Sequence, residues 1–131
     1  MKKDAIEAAI VRARQSEVTY PQFVELLSEA GVRTYSVDVP SHTIVYRNGE
    51  ETHTEQGLQV APEDAWALAR FDESGVKAAI AYNQQGKGDY LTFLQQIWAS
   101  GVTEYDVDLG ERTVSYRGAA GETYVEAIPL P

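Results

Sequence analysis

Two acid–cation pairs in this chain could do chemistry, and they occur with the same spacing. Asp38 and Arg47 recur 70 residues later as Asp108 and Arg117. On the polar side of a predicted β-hairpin, each pair could form a site for a polar ligand. Each could equally form a diagonal cross-strand ion pair that stabilises the sheet by about 0.2–1 kcal/mol. Because a feature present twice usually serves the fold of both copies, the sequence favours the structural role.

Three tyrosines also recur, and all six lie on predicted apolar faces: Tyr20, Tyr35, Tyr46, Tyr90, Tyr105 and Tyr116. Ring packing in the core, with hydroxyl groups at its rim, is the ordinary explanation of such positions. A cleft between the two halves is the alternative, and the residues expected to line it are Tyr46, Tyr116, Arg47 and Arg117. The protein would then be a small-molecule-binding protein or an enzyme.

The two histidines, His42 and His53, are not repeated. Strand alternation places His53 on the same side as Glu51 and Glu55, and such a group could hold a divalent ion. This spacing matches no zinc motif, and exposed acidic turns are common, so we expect no metal site and no cofactor. No nucleophile–base pattern is visible either. The sequence therefore identifies no catalytic residue and favours a protein that is not an enzyme.

One apolar flank is present in the second half only. Leu91, Leu94 and Trp98 follow helical spacing beside a core stripe. The corresponding positions of the first half are Pro21, Val24 and Ser28. An exposed apolar flank must be covered, and a linker helix that carries Trp66 could cover it. Otherwise the flank is an interface for a protein partner or a second copy of the chain, with tryptophan as its anchor.

An internal repeat organises these residues. Identical positions continue at an offset of 70, as with Gly31-Val32 and Gly101-Val102, and one inserted residue then makes the offset 71. The copies span about residues 4–55 and 74–127, joined by a linker, 56–73. Because two like sequences must build like units, we expect one domain, 1–131, made of two repeats.

Each copy is predicted to begin with two helices. Apolar residues three or four apart predict helices near residues 5–15 and 75–85, with N-caps at Asp4 and Ser74. A second apolar stripe begins in each copy after a residue that can accept a free backbone N–H: Thr19 and Asp89. The stripes end at glycines, which allow a helix to leave through a left-handed residue: Gly31 and Gly101.

After each glycine the apolar period changes from 3.6 to 2, which predicts a β-hairpin followed by a third strand. Pro62 begins a short linker helix over residues 62–69. The fold class is therefore α+β: a duplicated helix–helix–hairpin unit whose strands form one antiparallel sheet, covered by helices on one face, with a pseudo-two-fold axis between the copies.

Composition limits the function classes. The 131 residues carry a formal net charge of −9 and no cysteine. A phosphate backbone repels such a surface, so no nucleic-acid or membrane partner is expected. With no secretory signal or membrane span visible, we expect a cytoplasmic protein. A weaker alternative is an acidic decoy of a DNA-binding protein, using Glu104, Asp106 and Asp108 on one strand face, although Arg112 and Arg117 would interrupt that array.

A longer pattern resembles a known family. Y-x-x-F-x₇-G-V-x-x-Y-x-V-D occurs at Tyr20–Asp38 and again at Tyr90–Asp108. With A-A-I…Q-Q-G-K at Ala78–Lys87 and the closing Val125–Pro129, the chain is similar to the YbcV-like family of small bacterial and prophage proteins. That resemblance implies a protein of unknown function with no catalytic residues to carry over, and it makes the acidic decoy a phage-derived one that acts on a host protein. We therefore predict a soluble accessory protein that binds either another protein or a second copy of itself, in a homodimer.

Overall fold

The same order of helices and strands occurs twice along the chain. The computed structural model describes residues 1–15, 17–61, 69–85 and 89–130. In those ranges the elements are α1 (Lys3–Arg14), α2 (Tyr20–Glu29), β1 (Thr34–Asp38), β2 (Thr43–Asn48), β3 (Glu51–Gln56), α3 (Glu73–Gln84), α4 (Tyr90–Ala99), β4 (Val102–Asp108), β5 (Thr113–Gly118) and β6 (Thr123–Ala127). The α+β class is confirmed. Trp66 and residues 62–68 of the predicted linker helix, 62–69, lie outside the described residues.

The predicted starts of α2 and α4 are confirmed. The Thr19 hydroxyl accepts the Gln22 N–H at 3.3 Å, and the Gln22 side chain accepts the Thr19 N–H at 2.8 Å. Asp89 accepts the Thr92 N–H at 2.8 Å. Each bond satisfies a backbone donor that the first helical turn leaves free.

The predicted caps Asp4 and Ser74 are wrong, because each helix begins before the residue that was expected to cap it. Lys2 and Asp72 occupy the N-cap positions, with no hydrogen bond from their side chains to the helix. Their backbone N–H groups instead donate to carbonyls at the end of the neighbouring helix, at 2.7 and 2.8 Å. Packing within each helix pair therefore sets these starts.

The six strands form one antiparallel sheet in the order β3-β2-β1-β4-β5-β6. The two halves meet where β1 pairs with β4, and Ser36 lies opposite Asp106 at the middle of that pair. Alternate side chains of the strands join the helices in one hydrophobic core, whereas the remaining side chains of β1, β2, β4 and β5 point to the other face and are half-buried or exposed. The helices thus cover one face only.

No helix within the described ranges has both the length and the apolar character that crossing a bilayer requires.

Candidate functional site

Asp38 and Asp108, the acidic members of the repeated pairs, bind backbone N–H groups of turns rather than the arginines. Asp38 accepts the backbone N–H of Ser41 at 3.3 Å, and Asp108 accepts that of Glu111 at 2.9 Å. The hairpin register places Asp38 and Arg47 at opposite ends of β1 and β2. The predicted diagonal pairs therefore do not form.

The four predicted cleft residues lie on two different faces of the sheet. Tyr46 and Tyr116 are buried on the face that the helices cover, whereas Arg47 and Arg117 are exposed on the other. Neighbouring residues of a strand point to opposite faces, so this separation follows from the strand geometry. One cleft cannot be lined by all four side chains.

A groove does lie between the two halves, at the end of the sheet where β1 begins. There the Arg33 N–H donates to the Arg47 carbonyl at 2.9 Å, and the Arg33 carbonyl accepts the Leu109 N–H at 3.0 Å. These bonds hold β1 between β2 and β4. The groove encloses about 600 Å³, and its polar side chains are Ser28, Arg33, Thr34, Arg47, Asn48 and Asp108. Of the predicted cleft residues, Arg47 alone lines it.

The two repeated arginines have different partners. Arg117 Nε lies 2.6 Å from an Asp106 carboxylate oxygen, and this hydrogen bond raises the pKa of the Arg117 guanidinium. Arg47 Nη1 instead donates to the Ser36 hydroxyl at 3.2 Å. Among the described residues Arg47 forms no ion pair. The charge of Arg47 thus faces a neutral hydroxyl where that of Arg117 faces a carboxylate.

Arg33 adds a second cation at the same end of the sheet. Its side chain is exposed, and the corresponding residue at the opposite end is Thr103, whose carbonyl accepts the Val39 N–H as that of Arg33 accepts the Leu109 N–H. The groove therefore has two arginines, whereas the equivalent place in the second half has one, already paired. Sequence reasoning missed Arg33 because the repeat does not preserve it.

The cluster around His53 differs from the one that the sequence indicated. His53 Nε2 lies 2.8 Å from Glu7 Oε1 and 3.0 Å from Glu55 Oε1. Glu51 instead binds the terminal amino group of Met1 at 3.3 Å. A hydrogen bond with Glu55 raises the pKa of Glu7, and the same bond lowers the pKa of Glu55. Only the packing of α1 against the edge of the sheet brings Glu7 here.

The repeated tyrosines form a layer between helices and sheet. The Tyr20 and Tyr35 hydroxyl oxygens are 2.7 Å apart, and those of Tyr90 and Tyr105 are also hydrogen-bonded. Burial raises the pKa of the Tyr90 hydroxyl to about 12, so this group stays protonated at neutral pH. Tyr20 and Tyr90 keep 39% and 42% of their surface exposed. Four of the six tyrosines therefore pack in the core, and Tyr20 and Tyr90 lie at its edge.

Glu126 ends this layer in the second half, where it accepts the Tyr116 hydroxyl at 3.0 Å. Burial raises the pKa of the Glu126 carboxyl above its ordinary 4.5. The folded state therefore binds this proton more tightly than the unfolded chain does. The resulting contribution to stability is complete below the unfolded pKa and is lost as the pH rises through the folded pKa.

We therefore expect Glu126→Gln to raise the melting temperature at neutral pH. The amide oxygen can still accept the Tyr116 hydroxyl but carries no charge to be buried. Thermal unfolding of both proteins from about pH 4 to about pH 8 checks this, and the advantage of the variant should grow with pH. An advantage that shrinks with pH would contradict the proposed burial of the carboxylate.

The apolar flank is less exposed than its sequence suggests. Leu94 is completely buried, while Leu91 and Trp98 are half-buried, and Trp98 packs against the core. Of these three flank residues, Leu91 and Trp98 can therefore contribute to an interface, and Leu94 cannot. The proposed cover, Trp66, lies outside the described residues.

Comparison with known proteins finds similarity to proteins of unknown function. Residues 1–56 match the model of a family described as "Protein of unknown function (DUF1398)". An uncharacterized protein of Mycobacterium bovis and uncharacterized proteins of two Mycobacterium tuberculosis strains are each 32% identical over 107 residues, or 82% of this chain. The chain spans 65% of the length of each of these relatives. It is thus similar, across most of its length, to proteins whose activity is not known.

Proposed function

We propose that this protein binds a small anionic molecule, bearing a carboxylate or phosphate group, in the groove where β1 begins. The observation that carries this proposal is a pair of arginines, Arg33 and Arg47, that line a groove of about 600 Å³. The second half of the chain has no equivalent pair, because Thr103 replaces Arg33 there. Guanidinium groups bind carboxylates and phosphates through paired N–H donors. Since Ser36 leaves the charge of Arg47 without a carboxylate, an anionic ligand would supply one.

The remaining groove residues suit a small ligand. Ser28, Thr34 and Asn48 offer neutral donors and acceptors around the arginines, and Asp108 closes the opposite wall with its carboxylate held by the Glu111 N–H. A long polyanion would meet the −9 charge of the whole chain, whereas a small anion meets only the local field. These features favour a metabolite-sized ligand over a nucleic acid.

Calorimetric titration with inorganic phosphate, citrate and a panel of phosphorylated and carboxylated metabolites tests this function. We expect at least one to bind, and Arg47→Ala to weaken it by about 10- to 100-fold, the usual effect of losing a hydrogen bond to a charged group. Arg33→Ala should act in the same direction.

Arg117→Ala is the matched control, because Arg117 occupies the repeated position but lies outside the groove. The affinity of this variant for the anion should equal that of the wild type. If no anion binds, or if Arg117→Ala weakens binding as much as Arg47→Ala, the groove is not the site.

A protein-interaction role is the second candidate, and the half-buried Leu91 and Trp98 with the uncovered sheet face support it. The partner would be another protein or a second copy of this chain. Light scattering on wild type and Trp98→Ala tests self-association, which the substitution should weaken. A wild type that is monomeric at all concentrations would contradict the homodimer.

The decoy role has less support. Glu104, Asp106 and Asp108 share the uncovered face, but Arg117 neutralises Asp106 and a turn engages Asp108. Direct DNA mimicry needs an unbroken row of charges, and this row is interrupted.

We also propose that the two halves descend from one duplicated unit related by a pseudo-two-fold axis. Equal lengths of α1 and α3, equal lengths of α2 and α4, and the antiparallel meeting of β1 with β4 support this proposal. Membership of the YbcV-like family, a prophage origin and a single folding domain stay predictions.

A further inference from the structure

The edge of the sheet holds a second group of convergent side chains, none of which lines the groove. Glu7 comes from α1, and His53 and Glu55 come from alternate positions of β3. One imidazole nitrogen and two carboxylate oxygens lie within 4.8 Å of one another. Glu7 is exposed, whereas the side chains of His53 and Glu55 are 16% and 17% exposed. The group is thus open to solvent on the side of the helix.

The distances suit a metal ion. Two ligand atoms about 2.1 Å from an ion are about 3.0 Å apart at the right angles of an octahedral site, and about 3.4 Å apart at the tetrahedral angle that zinc favours. His53 Nε2 lies 2.8 and 3.0 Å from the two carboxylate oxygens, as neighbouring ligands on one face of an ion would. One imidazole and two carboxylates also form a donor set that first-row divalent ions accept, with further positions open to water.

The second half of the chain has a cationic side chain at the corresponding place. The residues that correspond to Glu7, His53 and Glu55 there are Lys77, Tyr124 and Glu126, by the repeat offset and by strand register. The Lys77 ammonium group lies 5.4 Å from the centre of the Tyr124 ring and pairs with the Glu73 carboxylate of the same helix at 3.4 Å. At this place the second half therefore carries a cation in its own side chain, while the first half carries two carboxylates and an imidazole.

We infer that Glu7, His53 and Glu55 bind a divalent first-row transition-metal ion such as Zn²⁺. The ion would place a positive charge between α1 and β3, as the Lys77 ammonium group does between α3 and β6. Three protein ligands from two elements would join the end of β3 to α1, so the ion stabilises the edge of the sheet. Soft thiolate ligands play no part, since the chain has no cysteine.

Untagged protein freed of metal with a chelator provides the test, with Zn²⁺ and Co²⁺ salts as probes. We expect Zn²⁺ to raise the melting temperature, and Co²⁺ to give a visible absorption band that saturates at one ion per chain. Mg²⁺ should do neither at the same concentration, because imidazole is a poor ligand for a hard ion.

Glu7→Lys is the most specific variant, because it places in α1 the residue that α3 carries at the corresponding position. It should fold, melt without metal at least as high as the wild type, and lose the Co²⁺ band. His53→Gln and Glu7→Gln should each weaken Zn²⁺ binding at least about tenfold, since even indirect partners of a metal contribute that much. Glu51→Gln is the matched control and should bind as the wild type does, because Glu51 is engaged with Met1.

Two results would overturn the inference. One is a wild type whose melting temperature and absorption do not respond to Zn²⁺ or Co²⁺. The other is Zn²⁺ affinity that stays unchanged in both His53→Gln and Glu7→Gln, which would place the ion elsewhere. If Glu7→Lys failed to fold, the two glutamine variants would decide the question on their own.

Discussion

Leu94→Ala is expected to lower the free energy of unfolding by about 3–5 kcal/mol, the upper range for removing a buried leucine side chain. Leu94 has no exposed surface, and it packs within the core that both halves share. Alanine would leave a cavity that the surrounding side chains can only partly fill. Urea denaturation monitored by tryptophan fluorescence measures the loss.

Leu91→Ala is the control on the same flank. Leu91 is half-buried, so its truncation should cost about 1–2 kcal/mol, less than that of Leu94. If the two substitutions had equal and small effects, with self-association lost in both, Leu94 would be a surface residue as its helical spacing alone indicated. The described packing would then be wrong at α4.

Gly101→Ala is expected to lower the free energy of unfolding by about 3 kcal/mol or more, because it combines backbone strain with a collision. The backbone at Gly101 has a φ of +89°, where side chains are strained. An added Cβ would also lie 2.6 Å from the backbone of Arg70 and of Phe71. Backbone atoms cannot move aside as the end of a side chain can.

Gly31→Ala separates the two effects. Gly31 has nearly the same φ, +90°, but the nearest atom to an added Cβ is the Met1 Cα at 3.4 Å. Only the strain remains, so we expect a loss of about 1–2 kcal/mol. Chemical denaturation of both variants measures the difference, and equal losses would contradict the close passage of residues 70 and 71 over the end of α4.

The sequence predicted the elements better than their surroundings. Changes of apolar period marked the strands, and the left-handed glycines Gly31 and Gly101 marked the ends of α2 and α4, because both signals are local. Asp4 and Ser74 failed as caps because the first turn of each first helix is fixed by a backbone bond to the neighbouring helix, which no local spacing reports.

The site could be predicted only in part for the same reason. Arg47 was among the expected ligand residues, but its neutral partner Ser36 became known only from the pairing of strands. Glu7 is 46 residues from His53, and only the folded chain brings them together. Arg117 occupies the same position of the repeat as Arg47, but Arg117 forms an ion pair with Asp106 whereas Arg47 has the neutral Ser36 as its partner. The residues proposed to bind ligands here, such as Arg33 and Glu7, are not preserved in the second copy. A comparison of the two copies predicted the fold but could not identify these residues.

Binding at the groove is the central claim, and backbone amide shifts in an NMR titration with the tightest-binding anion test it most directly. We predict that the perturbed amides cluster at residues 31–34, 47–49 and 108–110, and that in Arg47→Ala the same changes need about 10- to 100-fold more anion. Equal perturbation at the opposite end of the sheet, around Thr103 and Arg117, or none near Arg33, would contradict the account.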